Sequence, residues 1–156
     1  MASHPSIPPA ESVRLVTNSI LSTAAVLLRE GNRLFKKAGI TSPQFNALKL
    51  LADAPHGLRP SELATLLVVD PSSITFILKQ LEKKGWLQRT EDPTDRRARV
   101  VAITESGTIK YVAAESSYRL ALEEIATQFA PAQLQATVAV IEQIRDCAAT
   151  AVNRIS

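Results

Sequence analysis

Between Lys79 and Arg99 the chain places seven basic residues, Lys79, Lys83, Lys84, Arg89, Arg96, Arg97 and Arg99, against four acidic ones. The remaining charges cancel, so the whole formal charge of +3 lies in this segment. Clustered cations neutralise phosphates, and Arg96, Arg97 and Arg99 are too dense for an ordinary solvated turn. Just before them, Ser72, Ser73, Thr75, Phe76, Lys79, Gln80 and Lys83 fall on the outer side of an apolar helical stripe. Short hydroxyls, lysines and a glutamine at such positions can meet base edges and phosphates, and a helix N-terminus favours an anion. Enzymatic chemistry has little to work with. The two histidines are His4 and His56, and no metal-ligand spacing, glycine-rich phosphate loop or nucleophile-base pair is present. The expectation is a non-enzyme without metal or cofactor.

The elements that would position these side chains follow from spacing. Ile74, Ile77, Leu78 and Leu81 recur at helical intervals after the Asp70-Pro71 start, and Gly85 suits the position that ends a helix. Pro60 to Leu67 forms a shorter helical pattern with Leu63, Ala64 and Leu67 inward. Trp86 to Thr90 and Arg99 to Ile103 are expected strands, joined through Asp92-Pro93-Thr94-Asp95, and Thr104 caps a long helix to about Phe129. This order is a helix-turn-helix with a β-hairpin wing, a construction that lays one helix in the DNA major groove. Arg96 and Arg97 at the tip are expected to enter the minor groove, with Asp92 and Asp95 positioned to hold a guanidinium.

Long helices flank this unit. Glu11 to Lys37 carries Val13, Val16, Ile20, Ala24, Leu27, Leu28, Leu34 and Phe35 at helical spacing. Ser42-Pro43 predicts a second start, with Ser42 as N-cap, for a helix bearing Phe45, Leu48, Leu50 and Leu51 up to the turn Pro55-His56-Gly57. Pro131 to Ile155 presents Leu134, Val138, Ile141, Ile144, Ala148 and Val152. Such helices cannot all bury their faces on one small winged domain, so a two-fold dimer is expected. The fold class is therefore mainly α with a small β-hairpin wing. Residues 1–10 are expected to be a flexible arm, 11–40 and 105–156 a dimerisation region, and 41–104 the DNA-binding domain.

A length of 156 residues, with 46% hydrophobic and 21% charged residues, fits one ordinary globular domain. The single cysteine, Cys147, excludes an internal disulfide and suits a reducing compartment. It is expected to be a buried thiol of the dimer helices rather than an oxidation sensor. No apolar run approaches the ~20 residues of a membrane span, and the N-terminus lacks the pattern of a signal peptide. A cytoplasmic location without membrane contact is expected.

The chain resembles the MarR family of winged helix-turn-helix regulators. The resemblance is carried by Ser42-Pro43-Gln44-Phe45, Ser61-Glu62-Leu63-Ala64, Asp70-Pro71-Ser72-Ser73-Ile74-Thr75 and Leu81-Glu82-Lys83-Lys84-Gly85. It continues through Asp92-Pro93-Thr94-Asp95-Arg96-Arg97 to Ile103-Thr104-Glu105-Ser106-Gly107. It implies an obligate dimer on a pseudo-palindromic operator, usually a repressor, often released by a small phenolic or other aromatic ligand. By position it places Ser72, Ser73, Thr75, Phe76 and Lys79 on the recognition helix. Arg96 or Arg97 becomes the minor-groove arginine, with Asp95 the partner of the other. The effector pocket of that family lies between the dimer helices and the winged domain, which makes Arg14, Phe35, Phe45 and His56 the candidate lining residues. Two positions depart from the pattern. Phe76 stands where a polar or basic side chain is common, and Val68 lies in the turn where a glycine is common, although positive φ is disfavoured for valine. The competing readings are a winged helix used for protein-protein contact and an architectural DNA-binding protein without ligand response.

Overall fold

The computed structural model describes residues 8–91 and 99–155, with side chains through residue 151. The N-terminal arm before residue 8, the side chain of Val152, and Asp92, Asp95, Arg96 and Arg97 of the wing lie outside the described residues. The element order is α1 (Pro9–Lys37), α2 (Ser42–Ala52), α3 (Pro60–Leu67), α4 (Pro71–Lys83), β1 (Leu87–Glu91), β2 (Arg99–Ile103), α5 (Glu105–Ala126) and α6 (Pro131–Ile155). The chain divides into two compact units, residues 1–116 and 117–156.

The first unit is organised around the stripe seen in the sequence. Ile74, Ile77, Leu78 and Leu81 of α4 are all buried, and they share one core with Leu48 and Leu51 of α2, Leu63 of α3, Leu87 of β1 and Val101 of β2. β1 and β2 pair antiparallel with Leu87 opposite Ile103 and Glu91 opposite Arg99. A short bridge from Leu58 to Val101 ties the segment after α2 to the outer side of the hairpin. The base of the wing is thereby fixed on both edges of β2.

Local chemistry sets the helix ends. Thr41, not Ser42, is the N-cap of α2. Its hydroxyl accepts from Gln44 N–H while Gln44 Oε1 accepts from Thr41 N–H, a reciprocal capping box. Ser42 instead packs against α1, where its N–H donates to Asn32 Oδ1 at 2.9 Å and its hydroxyl is buried. Between α3 and α4 the chain turns through 112°, within the range of a helix-turn-helix. Val68 makes that turn at φ 53°, ψ 48°, the left-handed conformation expected to be disfavoured for valine. Leu67 ends α3 and Asp70 caps α4, so only two residues are left to redirect the chain. Val68 is 89% exposed, which means the strain is not offset by packing of its own side chain.

The opening of α5 is built on close approach. Thr104 Oγ1 donates to Gly85 O at 2.7 Å and accepts from Gly107 N–H at 3.1 Å. Ser106 Oγ donates to the same Gly85 carbonyl at 2.8 Å. A Cβ on Gly107 would lie 2.0 Å from Trp86 O, so the Thr-x-x-Gly spelling follows from the contact between the α5 start and the α4–β1 corner.

Residues 117–151 of the second unit contain no buried side chain, although Leu120, Leu122, Ile125, Phe129, Leu134, Val138, Val140 and Ile141 are large and apolar. In α1, likewise, only Phe35 is buried, while Val13, Leu15, Val16, Leu21, Val26, Leu27 and Leu28 are exposed.

Candidate nucleic-acid interface

The buried stripe of α4 determines what its opposite face presents. At 100° per residue, Ser72, Phe76, Lys79 and Lys83 point away from the core, with Ser73 and Gln80 on the flank toward α2 and Thr75 on the flank toward α3. Ser72, Thr75, Phe76, Lys79 and Lys83 are exposed, and Ser73 and Gln80 are half-buried. The predicted outer surface is thus gathered on one helix face.

The N-terminus of α4 does not match the expectation that it would receive a phosphate. The Asp70 carboxylate already accepts the Ser72 and Ser73 N–H groups at 3.0 and 2.9 Å. Both hydroxyls donate to it as well, Ser73 Oγ at 2.7 Å and Ser72 Oγ in a shorter contact. These four bonds, the Ser72 and Ser73 hydroxyls foremost, hold the carboxyl far below its ordinary pKa, so it is ionised throughout the neutral range. A fixed negative charge with the first helical donors occupied opposes an incoming phosphate. Thr75 is committed too, its Oγ1 donating to Pro71 O at 2.7 Å. Ser72, Ser73 and Thr75 therefore present outward only oxygen lone pairs and a methyl group. The free donors of this face are the ammonium groups of Lys79 and Lys83 and the amide of Gln80.

The basic segment divides into groups with different work. Lys84, although exposed, is engaged within the protein: its Nζ donates to Gly39 O at 3.1 Å and Gln44 Oε1 at 3.4 Å and lies 4.4 Å from the centroid of the Trp86 ring. Lys110 approaches the same ring at 5.3 Å and donates to Ala38 O at 3.0 Å. Two cations against one indole thus cap the C-terminal carbonyls of α1 and join that helix to α4 and α5. Sequence reasoning counted Lys84 with the polyanion cluster; its partner, forty-five residues away, left no local trace. Arg89 pairs with Glu82 at 3.3 Å, fixing β1 to α4. Arg99 is exposed on the wing, with Glu91 opposite it at 4.0 Å.

The four residues expected at an effector pocket have distinct settings. Phe35 and Phe45 are buried and stacked with centroids 4.3 Å apart, and Tyr111 tilts onto Phe45 at 5.6 Å. Burial, with Glu115 and Asp53 adding to it, raises the Tyr111 phenol above its ordinary pKa. Arg14 is exposed and paired with Glu11 through Nε at 2.8 Å. His56 is exposed in the turn after α2. Cys147, expected to be buried, is exposed in the single chain. Among the described residues, no group of three or more histidine, cysteine or acidic side chains is arranged to hold a metal ion. No single described helix is long and apolar enough to cross a membrane.

An outward helix held across a 112° turn beside a two-stranded hairpin defines a winged helix-turn-helix protein. Residues 40–98 match the family model described as MarR family. Its members are transcription regulators rather than enzymes. The transcriptional repressor MprA of Escherichia coli K12 is 35% identical over 94 residues, which is 60% of this chain and 53% of MprA. The chain spans about half the length of the curated relatives it matches. Among solved structures, a cysteine-to-serine mutant of MarR from E. coli complexed with operator DNA superposes with a TM-score of 0.75 at 22% identity, covering 88% of this chain and 99% of that one. CouR from Rhodococcus jostii RHA1, bound to p-coumaroyl-CoA, gives 0.70 at 23% identity, covering 85% and 87%. At such identities these two structures speak for the fold.

Proposed function

We propose that the protein is a sequence-specific transcriptional regulator, in the first instance a repressor, that binds a pseudo-palindromic operator as a homodimer. The observation that carries this reading is the outer face of α4, where Phe76, Lys79 and Lys83 stand clear of a core that fixes their direction. Arg99 on the wing, with Arg96 and Arg97 just before it in sequence, supplies a second, strongly cationic element for the adjoining minor groove. Asp95 serves as the carboxylate partner of one tip arginine. Ser72, Ser73 and Thr75 contribute mainly as acceptors, because their hydroxyl protons are donated to Asp70 and Pro71 O, while Gln80 keeps a free amide at the edge of the contact.

Dimerisation is supported by energetics. Among the described residues the second unit has no buried side chain, and α1 buries one. Each large apolar side chain left in water forgoes about 1.5–3 kcal/mol of burial, so these faces call for a second copy. A dimer presents two α4 helices and hence reads two half-sites. In this assembly residues 11–40 and 105–156 form the interface and 41–104 the DNA-binding domain. Control by a small aromatic ligand is the corresponding regulatory expectation, with Arg14, Phe35, Phe45 and His56 as the residues to probe.

The test is a mobility-shift titration of promoter fragments flanking the protein's own gene across a salt series, with sizing of the free protein. A dimer whose affinity falls steeply with salt is the expected result. Absence of binding to any such fragment at low salt removes the regulator reading.

A further inference from the structure

We infer that Phe76 is a specificity-determining residue that recognises the 5-methyl group of a thymine in each operator half-site. The inference rests on the proposal that α4 enters the major groove. Phe76 lies in the middle of the outward stripe, between Ser72 and Lys79, and is 64% exposed, so its ring is not part of the core. A single exposed phenylalanine is unremarkable on most surfaces; here it occupies the centre of the face that would meet base edges.

The neighbouring groups narrow what this face can read. The hydroxyl protons of Ser72, Ser73 and Thr75 are all donated within the protein, which takes the short donors out of competition for bases. Phe76 also borders a shallow depression whose apolar wall is Pro43, Val69 and Ile77, with Ser73 and Gln80 at its edge. An apolar ring beside an apolar wall needs an apolar partner. The major-groove edges of the four base pairs offer one such group, the thymine methyl. Lys79 and Lys83, one and two turns further along, supply the cations that hold the phosphates on either side.

The experiment uses the full-length protein and an operator located by footprinting. Each thymine of a half-site is replaced in turn by deoxyuridine, which deletes the methyl and leaves pairing intact. Wild type and Phe76→Ala are titrated against each duplex, and thermal melts confirm equal folding, as expected for an exposed side chain. The expected result is one thymine per half-site whose replacement weakens wild-type binding about fourfold, the worth of one buried methyl group. Phe76→Ala should show no difference between thymine and deoxyuridine there, and Phe76→Leu should recover part of it. Wild-type binding with no sensitive thymine, or equal sensitivity in Phe76→Ala, overturns the inference while leaving the regulator reading intact. Failure of the wild type to bind any promoter duplex overturns both.

Discussion

Replacing Gly107 by alanine sets two effects of opposite sign against each other. Gly107 lies in the first turn of α5, where alanine should favour the helix by about 1 kcal/mol. The structure predicts the reverse outcome. The new Cβ would sit 2.0 Å from Trp86 O and 2.9 Å from both Trp86 C and Ile103 Cγ1, and two of these three atoms are backbone. Relief requires α5 to lift from the α4–β1 corner, with an overpacking cost of about 2 kcal/mol. The lift also breaks the hydrogen bonds of Thr104 and Ser106 to Gly85 O, each worth about 1 kcal/mol. After the propensity gain, a net loss of about 3 kcal/mol remains, roughly a 10 °C fall in Tm for a chain of this size. The assay is urea and thermal denaturation at one fixed chain concentration, because association contributes to apparent stability. Gly39→Ala is the control. Gly39 has φ +70° and open space around its Cβ direction, so the control should lose only about 1 kcal/mol from backbone strain. A Gly107→Ala protein as stable as wild type, or more stable than Gly39→Ala, refutes the close-approach account of the Thr-x-x-Gly motif.

The remaining predictions concern charge and assembly. Because its hydrogen bonds depress the Asp70 pKa, ionised Asp70 contributes stability above the ordinary aspartate pKa, and this is lost as pH falls through the lower folded value. The stability gap between wild type and Asp70→Asn should therefore be constant from about pH 7 to pH 5 and close only below about pH 4; urea midpoints that converge already between pH 7 and 5 contradict the network. Arg96→Ala with Arg97→Ala should weaken operator binding more than any single α4 substitution and flatten its salt dependence. An unchanged affinity and salt slope in a mobility-shift series removes the wing tip from the minor groove. Deleting Ala148 to Ser156 should reduce dimerisation and, through it, DNA binding; a truncated chain that remains dimeric on sizing counts against α6 as interface.

The fold was legible where local rules act alone. Ile74, Ile77, Leu78 and Leu81 announced both α4 and its buried side, and the proline starts at Pro60 and Pro71 set the observed boundaries of α3 and α4. The capping error at Ser42 came from stopping at the first Ser-Pro pair, although Thr41 with Gln44 three residues later spells the capping box that forms. Val68 could not be placed from its own preference, because the geometry of two packed helices overrides the cost of a valine in the left-handed region. At the interface, the directions of Phe76, Lys79 and Lys83 followed from helical periodicity. The engagement of the serine hydroxyls did not enter that reading, yet an Asp followed two and three residues later by Ser carries a local hydrogen-bonding signal. The contacts of Lys84 left no local trace in the sequence. The carbonyl partner lies on another helix end, and only packing brings Gly39, Trp86 and Lys84 together.

Whether two copies of α4 and two wings grip one duplex is read by hydroxyl-radical footprinting of a promoter fragment, with stoichiometry from an anisotropy titration. The expected result is a two-fold symmetric footprint with half-sites about one helical turn apart, bound by two chains. A footprint without symmetry, a single chain at saturation, or no protected site at low salt would contradict it.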